Sequence, residues 1–161
     1  MIQTHSAVRL LQGSLIAILI TTGLSASDVG AEESKTKAMA NETRITLTVR
    51  GTVINAVLDD SSTSGDLLSR LPLTLDLQGY EFDFCGVMPE ALAYDESEAT
   101  VGWKDGDIAF GPGANWFTIL YGGQEQSGSS GPLVKFGRIT DPLSRLDQLP
   151  RSISVTINRA D

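Results

Sequence analysis

Between residues 45 and 157 the chain keeps returning to one pattern: short runs alternating apolar with polar residues, each closed by Gly, Pro, Asp or Ser. A period of two puts every second side chain on one face, so each run reads as an extended segment with one dry side. Ile45, Leu47 and Val49 alternate with Thr46, Thr48 and Arg50 and stop at Gly51; Thr52 to Leu58 continues in the same style, which predicts a hairpin. Leu73, Leu75 and Leu77 alternate with Thr74, Asp76 and Gln78, and after Gly79 the run from Glu81 to Gly86 sets acids against Phe82 and Phe84, a second hairpin. Ile108 to Phe110 is a short strand, Gly111-Pro112-Gly113 forces a change of direction, and Asn115 to Tyr121 is a strand apolar on both faces. Leu133 to Ile139 and Ile153 to Ile157 complete the set.

Two helical segments interrupt the strands. Gly65 to Leu71 places Leu67, Leu68 and Leu71 on one face, follows good N-cap residues and stops at Pro72; Pro142 to Leu149 holds another short helix. Pro89 to Thr100 reads as a polar connection, and Gly122 to Pro132 as a flexible loop rich in Gly and Ser. Seven or eight strands with two short helices predict a mainly β fold, a closed barrel of about eight strands, rather than a helical or parallel α/β architecture.

A chain of 161 residues supports one domain. Its first residues stand apart: Arg9 without an acid, an apolar run from Ser14 to Leu24, then small residues, the pattern of a secretory signal peptide. That run is shorter than the roughly 18 residues a membrane span needs, so no stable membrane insertion is expected once it is cleaved. Cleavage after Ala26 and cleavage after Ala31 both fit. The expected organisation is a signal peptide over 1–31, a polar tether over 32–42 and the barrel over 43–161, in a protein exported to the periplasm or the medium.

Removing residues 1–31 takes away Arg9 and Asp28 and leaves 11 lysines and arginines against 19 acids. A surface with that balance repels phosphate backbones and anionic membranes, which argues against nucleic acid and lipid partners. It also removes His5, the only histidine. Without an imidazole no Ser-His-Asp or Cys-His arrangement can form, and one cysteine, Cys85, supplies neither an internal disulfide nor a zinc site of the usual kinds. Asp95, Glu96 and Glu98 lack the ligand ladder of a calcium loop, and Gly111 to Ala114 lacks the following Gly-Lys-Ser/Thr of a phosphate cradle. No residue set points to a cofactor or a metal.

One constellation remains. Strand parity puts Val134, Phe136 and Arg138 on one face of their run, so a guanidinium ends an apolar row; Trp116 shares a face with Thr118 and Leu120, and Asn115 with Phe117, Ile119 and Tyr121. An apolar concavity with a few polar groups is what a small-ligand or peptide pocket requires, and Phe110, Asn115, Trp116, Tyr121 and Arg138 are its candidate members. The competing reading makes Trp116 and Tyr121 packing residues and pairs Arg138 with Asp141.

The segments LLSRLPLTLDL, MPEAL, GDIAFGPGANWFTILYGG and LVKFGRI, in this order, resemble the bacterial cyclophilin-like family of small barrels, from about Ile45 to Ile157. The resemblance implies a closed β-barrel whose ends are capped by short helices. A likeness to true cyclophilins would imply peptidyl-prolyl isomerisation, in which an arginine weakens amide resonance across a barrier of about 18–20 kcal/mol. The chain has no counterpart of the F-H-R-V strand or the Q-F-F-I segment that supply those groups, so no catalytic residue is carried over. Two functions follow as expectations: a secreted, non-catalytic module that binds a small molecule or peptide, and an isomerase using Arg138 with Trp116, Phe110 or Tyr121 as its apolar wall. A purely structural, accessory role is the third.

Overall fold

Arg50 and Gly51 both take positive φ, 47° and 86°. A two-residue turn of that hand matches the twist of the strands it joins. It folds β1 (Thr43–Val49) back on β2 (Thr52–Leu58) with Val49 opposite Thr52, and the alternation turns Ile45, Leu47 and Val49 inward. The computed structural model describes residues 41–160. The expected signal peptide and all of the expected tether except Asn41 and Glu42 lie outside the described residues.

After β2 the strands are β3 (Leu73–Gly79), β4 (Asp83–Val87), β5 (Ala99–Thr100), β6 (Asp107–Gly111), β7 (Trp116–Leu120), β8 (Leu133–Ile139) and β9 (Ser152–Arg159). They pair in the order β2-β1-β9-β3-β4-β7-β6-β8, and β8 returns to β2, so eight antiparallel strands close on themselves while β5 adds to the free half of β8. The ladders are uneven. β3 meets β4 only at Gln78–Cys85 and Gly79–Phe84, and β2 meets β8 only over Ala56–Leu58, whereas β1 and β2 pair along their whole length. The barrel is therefore two four-stranded sheets, β2-β1-β9-β3 and β4-β7-β6-β8, joined along two short seams.

Inside, Phe110, Phe117 and Phe136 are fully buried among Ile45, Leu47, Ile54, Ile108 and Ile119, with Phe117 and Phe136 edge to face at 6.3 Å. Each such side chain contributes roughly 1.5–3 kcal/mol of burial. These side chains, with Leu58, Phe84, Val134, Val155 and Ile157, occupy the barrel interior.

The helix α1 spans Ser62–Ser69, three residues earlier than its apolar face alone suggests. The reason is the cap: the Ser61 hydroxyl accepts from the Ser64 amide and starts the helix before Gly65. Ser64 then lies within hydrogen-bonding distance of the Phe136 carbonyl, which docks α1 against β8. Asp66 and Arg70 form an i,i+4 ion pair on its outer side, and Arg70 donates to the Glu90 and Ala91 carbonyls, so the connection after β4 is pinned rather than free. The second expected helix contracts to a 3-10 turn, Leu143–Arg145. The Gly/Ser stretch expected to be a flexible loop is also ordered: Gln124–Ser129 coils as a 3-10 turn whose Ser127, Ser129 and Ser130 hydroxyls donate back to local carbonyls.

β8 carries a bulge. Gly137 faces Ile108 but Lys135 faces Ala109, so Phe136 is the extra residue, and inward-outward parity slips by one beyond it. Val134 and Phe136 point into the core, as does Ile139, while Arg138 points out. The expectation that Arg138 continues the row of Val134 and Phe136 is overturned by that single residue.

Candidate functional site

The outer face of β4-β7-β6 holds a cleft. Cross-strand partners share a face, and the register pairs Asp83 with Leu120, Cys85 with Thr118 and Val87 with Trp116 on the side turned away from the core. Thr118 and Leu120 are nonetheless almost fully buried, because neighbouring segments rise around them. On one side the turn before β4 brings Phe82 over Gly122 and Gly123: Phe82 accepts from the Tyr121 and Gly122 amides, and a Cβ on Gly123 would come within 2.6 Å of the Phe82 ring. On another, Trp103 donates its indole N–H to the Gly122 carbonyl at 2.9 Å, which fixes the ring. The β6–β7 turn at Pro112–Ala114 and the Ser130–Leu133 segment close the remaining sides. The enclosed volume is about 530 Å³, in the range of sites for drug-sized molecules.

Polar groups in it are few. Thr118 supplies a hydroxyl at the floor and Ser130 another at the wall; Glu81 and Asp83 supply carboxylates; no lysine or arginine lines it among the described residues. Asp83 is half-buried, and no hydrogen bond or ion pair from another described residue reaches its carboxylate. Burial pushes its pKa above the usual carboxylate value. Behind it, burial and then the Asp83 charge push the Cys85 thiol up to about 11, so this cysteine stays protonated and inert near neutral pH.

The five residues expected to form a pocket do not converge. Trp116 belongs to the cleft, 47% exposed beside Val87. Phe110 is wholly inside the core, against Tyr94. Asn115 sits in the β6–β7 turn at φ 54°, a left-handed position that Asn tolerates better than most, and its carbonyl accepts from the Met88 amide. Tyr121 lies over Phe84, donates its hydroxyl to the Tyr80 carbonyl at 2.7 Å, and lines a separate hollow of about 480 Å³ at the barrel end with Leu146, Asp147 and Arg151. Arg138 is outside and bound by both oxygens of Glu42, at 2.6 and 3.1 Å. It therefore pairs with the last residue of the expected tether and not with Asp141, which is held by Asn55 and Arg145.

Sequence reasoning missed Phe82, Asp83, Trp103 and Leu133. Asp83 reads as a solvent-facing strand acid until the register sets it opposite Leu120, and Trp103 is an indole in a polar turn region whose partner is nineteen residues away. The one legible signal was the parity linking Trp116, Thr118 and Leu120, which is the floor of the cleft.

A family model described as the Cyclophilin-like family matches residues 47–158. The solution structure of the hypothetical protein AF2241 from Archaeoglobus fulgidus is similar in fold, with a TM-score of 0.60 at 16% identity, covering 74% of this chain and 96% of that one. No curated protein matches the chain.

Proposed function

This chain belongs to the cyclophilin-like family, and from that premise we propose that it is a non-catalytic binding module that takes a small molecule or peptide in the cleft outside β4-β7-β6. The observation that carries the reading is the cleft itself: apolar and aromatic walls, a buried hydroxyl, and a carboxylate that no described residue satisfies. Such a composition supports binding, since apolar walls give affinity and a few polar groups give orientation. An isomerase would need a donor beside the apolar wall to hydrogen-bond the twisting amide. The guanidinium expected to do this, Arg138, is occupied by Glu42 and does not line the cleft.

Export is part of the same proposal. The apolar run Ser14–Leu24 with its small-residue flank supports delivery across a membrane, and the excess of acids over bases favours solubility outside the cell.

Both tryptophans of the chain, Trp103 and Trp116, line the cleft, so indole N–H resonances are a direct reporter. A chemically diverse fragment set screened by two-dimensional NMR should contain members that shift both indole signals, and Trp116→Ala should weaken their binding as read at the remaining Trp103 signal. Fragments that bind without touching either indole, or no binders at all, would refute the reading. A proline-peptide isomerisation rate above background that disappears in Arg138→Ala would favour the enzyme instead.

A further inference from the structure

The cleft combines two features that suit one class of ligand, and the inference rests on the binding-module reading above. Its walls carry four aromatic side chains, Tyr80, Phe82, Trp103 and Trp116, and its only charged lining groups among the described residues are the acids Glu81 and Asp83. The Trp103 N–H is already spent on the Gly122 carbonyl, so this indole presents only π surface to a ligand. The negative face of an aromatic ring attracts a cation, and does so more strongly where water is partly excluded. Asp83 adds a full negative charge that is half-buried and unmatched by any described cation. Lys135 on β8 does not line the cleft: its ammonium donates to the Thr100 carbonyl at 2.8 Å and contacts the Thr100 hydroxyl. Arg138 is likewise held by Glu42.

We propose that the cleft is a site for small organic ammonium ions bearing apolar substituents, with Trp103, Trp116 and Phe82 around the alkyl groups and Asp83 as counter-ion. A quaternary or tertiary ammonium fits better than a metal ion. The lining offers rings rather than converging oxygens, and no group of three or more candidate metal ligands occurs among the described residues. It fits better than an anion because no base lines the cleft among the described residues. The volume of about 530 Å³ admits a cation with several carbon substituents. Burial raises the Asp83 pKa, and the Coulombic attraction of a cation at its side would offset that rise.

The test compares choline with 3,3-dimethylbutan-1-ol, the neutral molecule in which carbon replaces the quaternary nitrogen, by titration followed at the two indole N–H signals. Choline is expected to bind at least about tenfold more tightly. Asp83→Asn should lower the affinity for choline far more than that for the neutral alcohol, removing most of the preference. Trp116→Leu, at a position 47% exposed, should also lower it while keeping the wall apolar. Equal affinities for the two probes in the wild-type protein would overturn the cation assignment and leave the binding-module reading standing. Binding of neither probe overturns the assignment as well, and the fragment screen then decides independently whether the cleft binds anything.

Discussion

Gly137 sits where β8 meets β2, opposite Leu58, and a Cβ placed there would come within 2.7 Å of the Val57 carbonyl oxygen and 2.6 Å of a Leu58 methyl. The methyl belongs to a side chain and can move. The carbonyl belongs to the seam, and moving it means separating the two strands that close the barrel. Overpacking of this kind costs about 1–3 kcal/mol, against a gain of about 0.4–1 kcal/mol from restricting the unfolded chain. Gly137→Ala should therefore destabilise the domain by about 1–2 kcal/mol. Gly65 is the matched control: it lies inside α1 with nothing within 4 Å of a built Cβ. Gly65→Ala should stabilise by about 0.5–1 kcal/mol through helix propensity. Urea titration followed by far-ultraviolet circular dichroism reads both as midpoint shifts at constant slope, in opposite directions. The reasoning fails if Gly137→Ala is as stable as wild type, since the seam would then have room that the geometry denies.

Neighbouring residues of β7 should separate core from cleft: Phe117→Ala should cost about 3–5 kcal/mol by leaving a cavity, whereas Trp116→Ala should keep most of the stability and lose the ligand-induced shift of the Trp103 indole signal. Asp141 is held below its usual pKa by the Asn55 side chain and amide, against some desolvation, with Arg145 helping. A carboxylate depressed in the folded state stabilises above its unfolded pKa of about 3.9 and loses that contribution as pH falls through the folded value. Between pH 5 and 2, wild type should consequently lose more stability than Asp141→Asn in acid denaturation. With its thiol pushed up to about 11 and 8% exposed, Cys85 should resist a thiol reagent at pH 8 in the native protein and react fully once urea unfolds it.

The fold was legible because its signals are local. Each strand needs only its own alternation and a turn residue at its end, and Leu133–Ile139 and Thr52–Leu58 were readable nearly to the residue. The site was harder, because it depends on register. Phe82, Trp103 and Leu133 come from three separate segments, and only their pairing around Thr118 and Leu120 makes them one wall. Arg138 went astray for a sharper reason: parity reasoning assumes an unbroken ladder, and the extra residue at Phe136 leaves no mark in the pattern of β8 itself. The shift shows only when β6 lies beside it. The early start of α1 belongs to the same class, since Ser61 and Ser64 are both plausible caps until one of them is claimed by the Phe136 carbonyl.

The paired sheets have a mechanical corollary. Few interstrand pairs cross at Gln78–Gly79 and at Ala56–Leu58, so these are the two lines along which a separation breaks fewest ladder bonds and leaves the ladders on either side whole. Trp116 and Asp83 stand on the same side of both lines, so the strands that floor the cleft belong to one plate and keep their mutual register whichever line loosens.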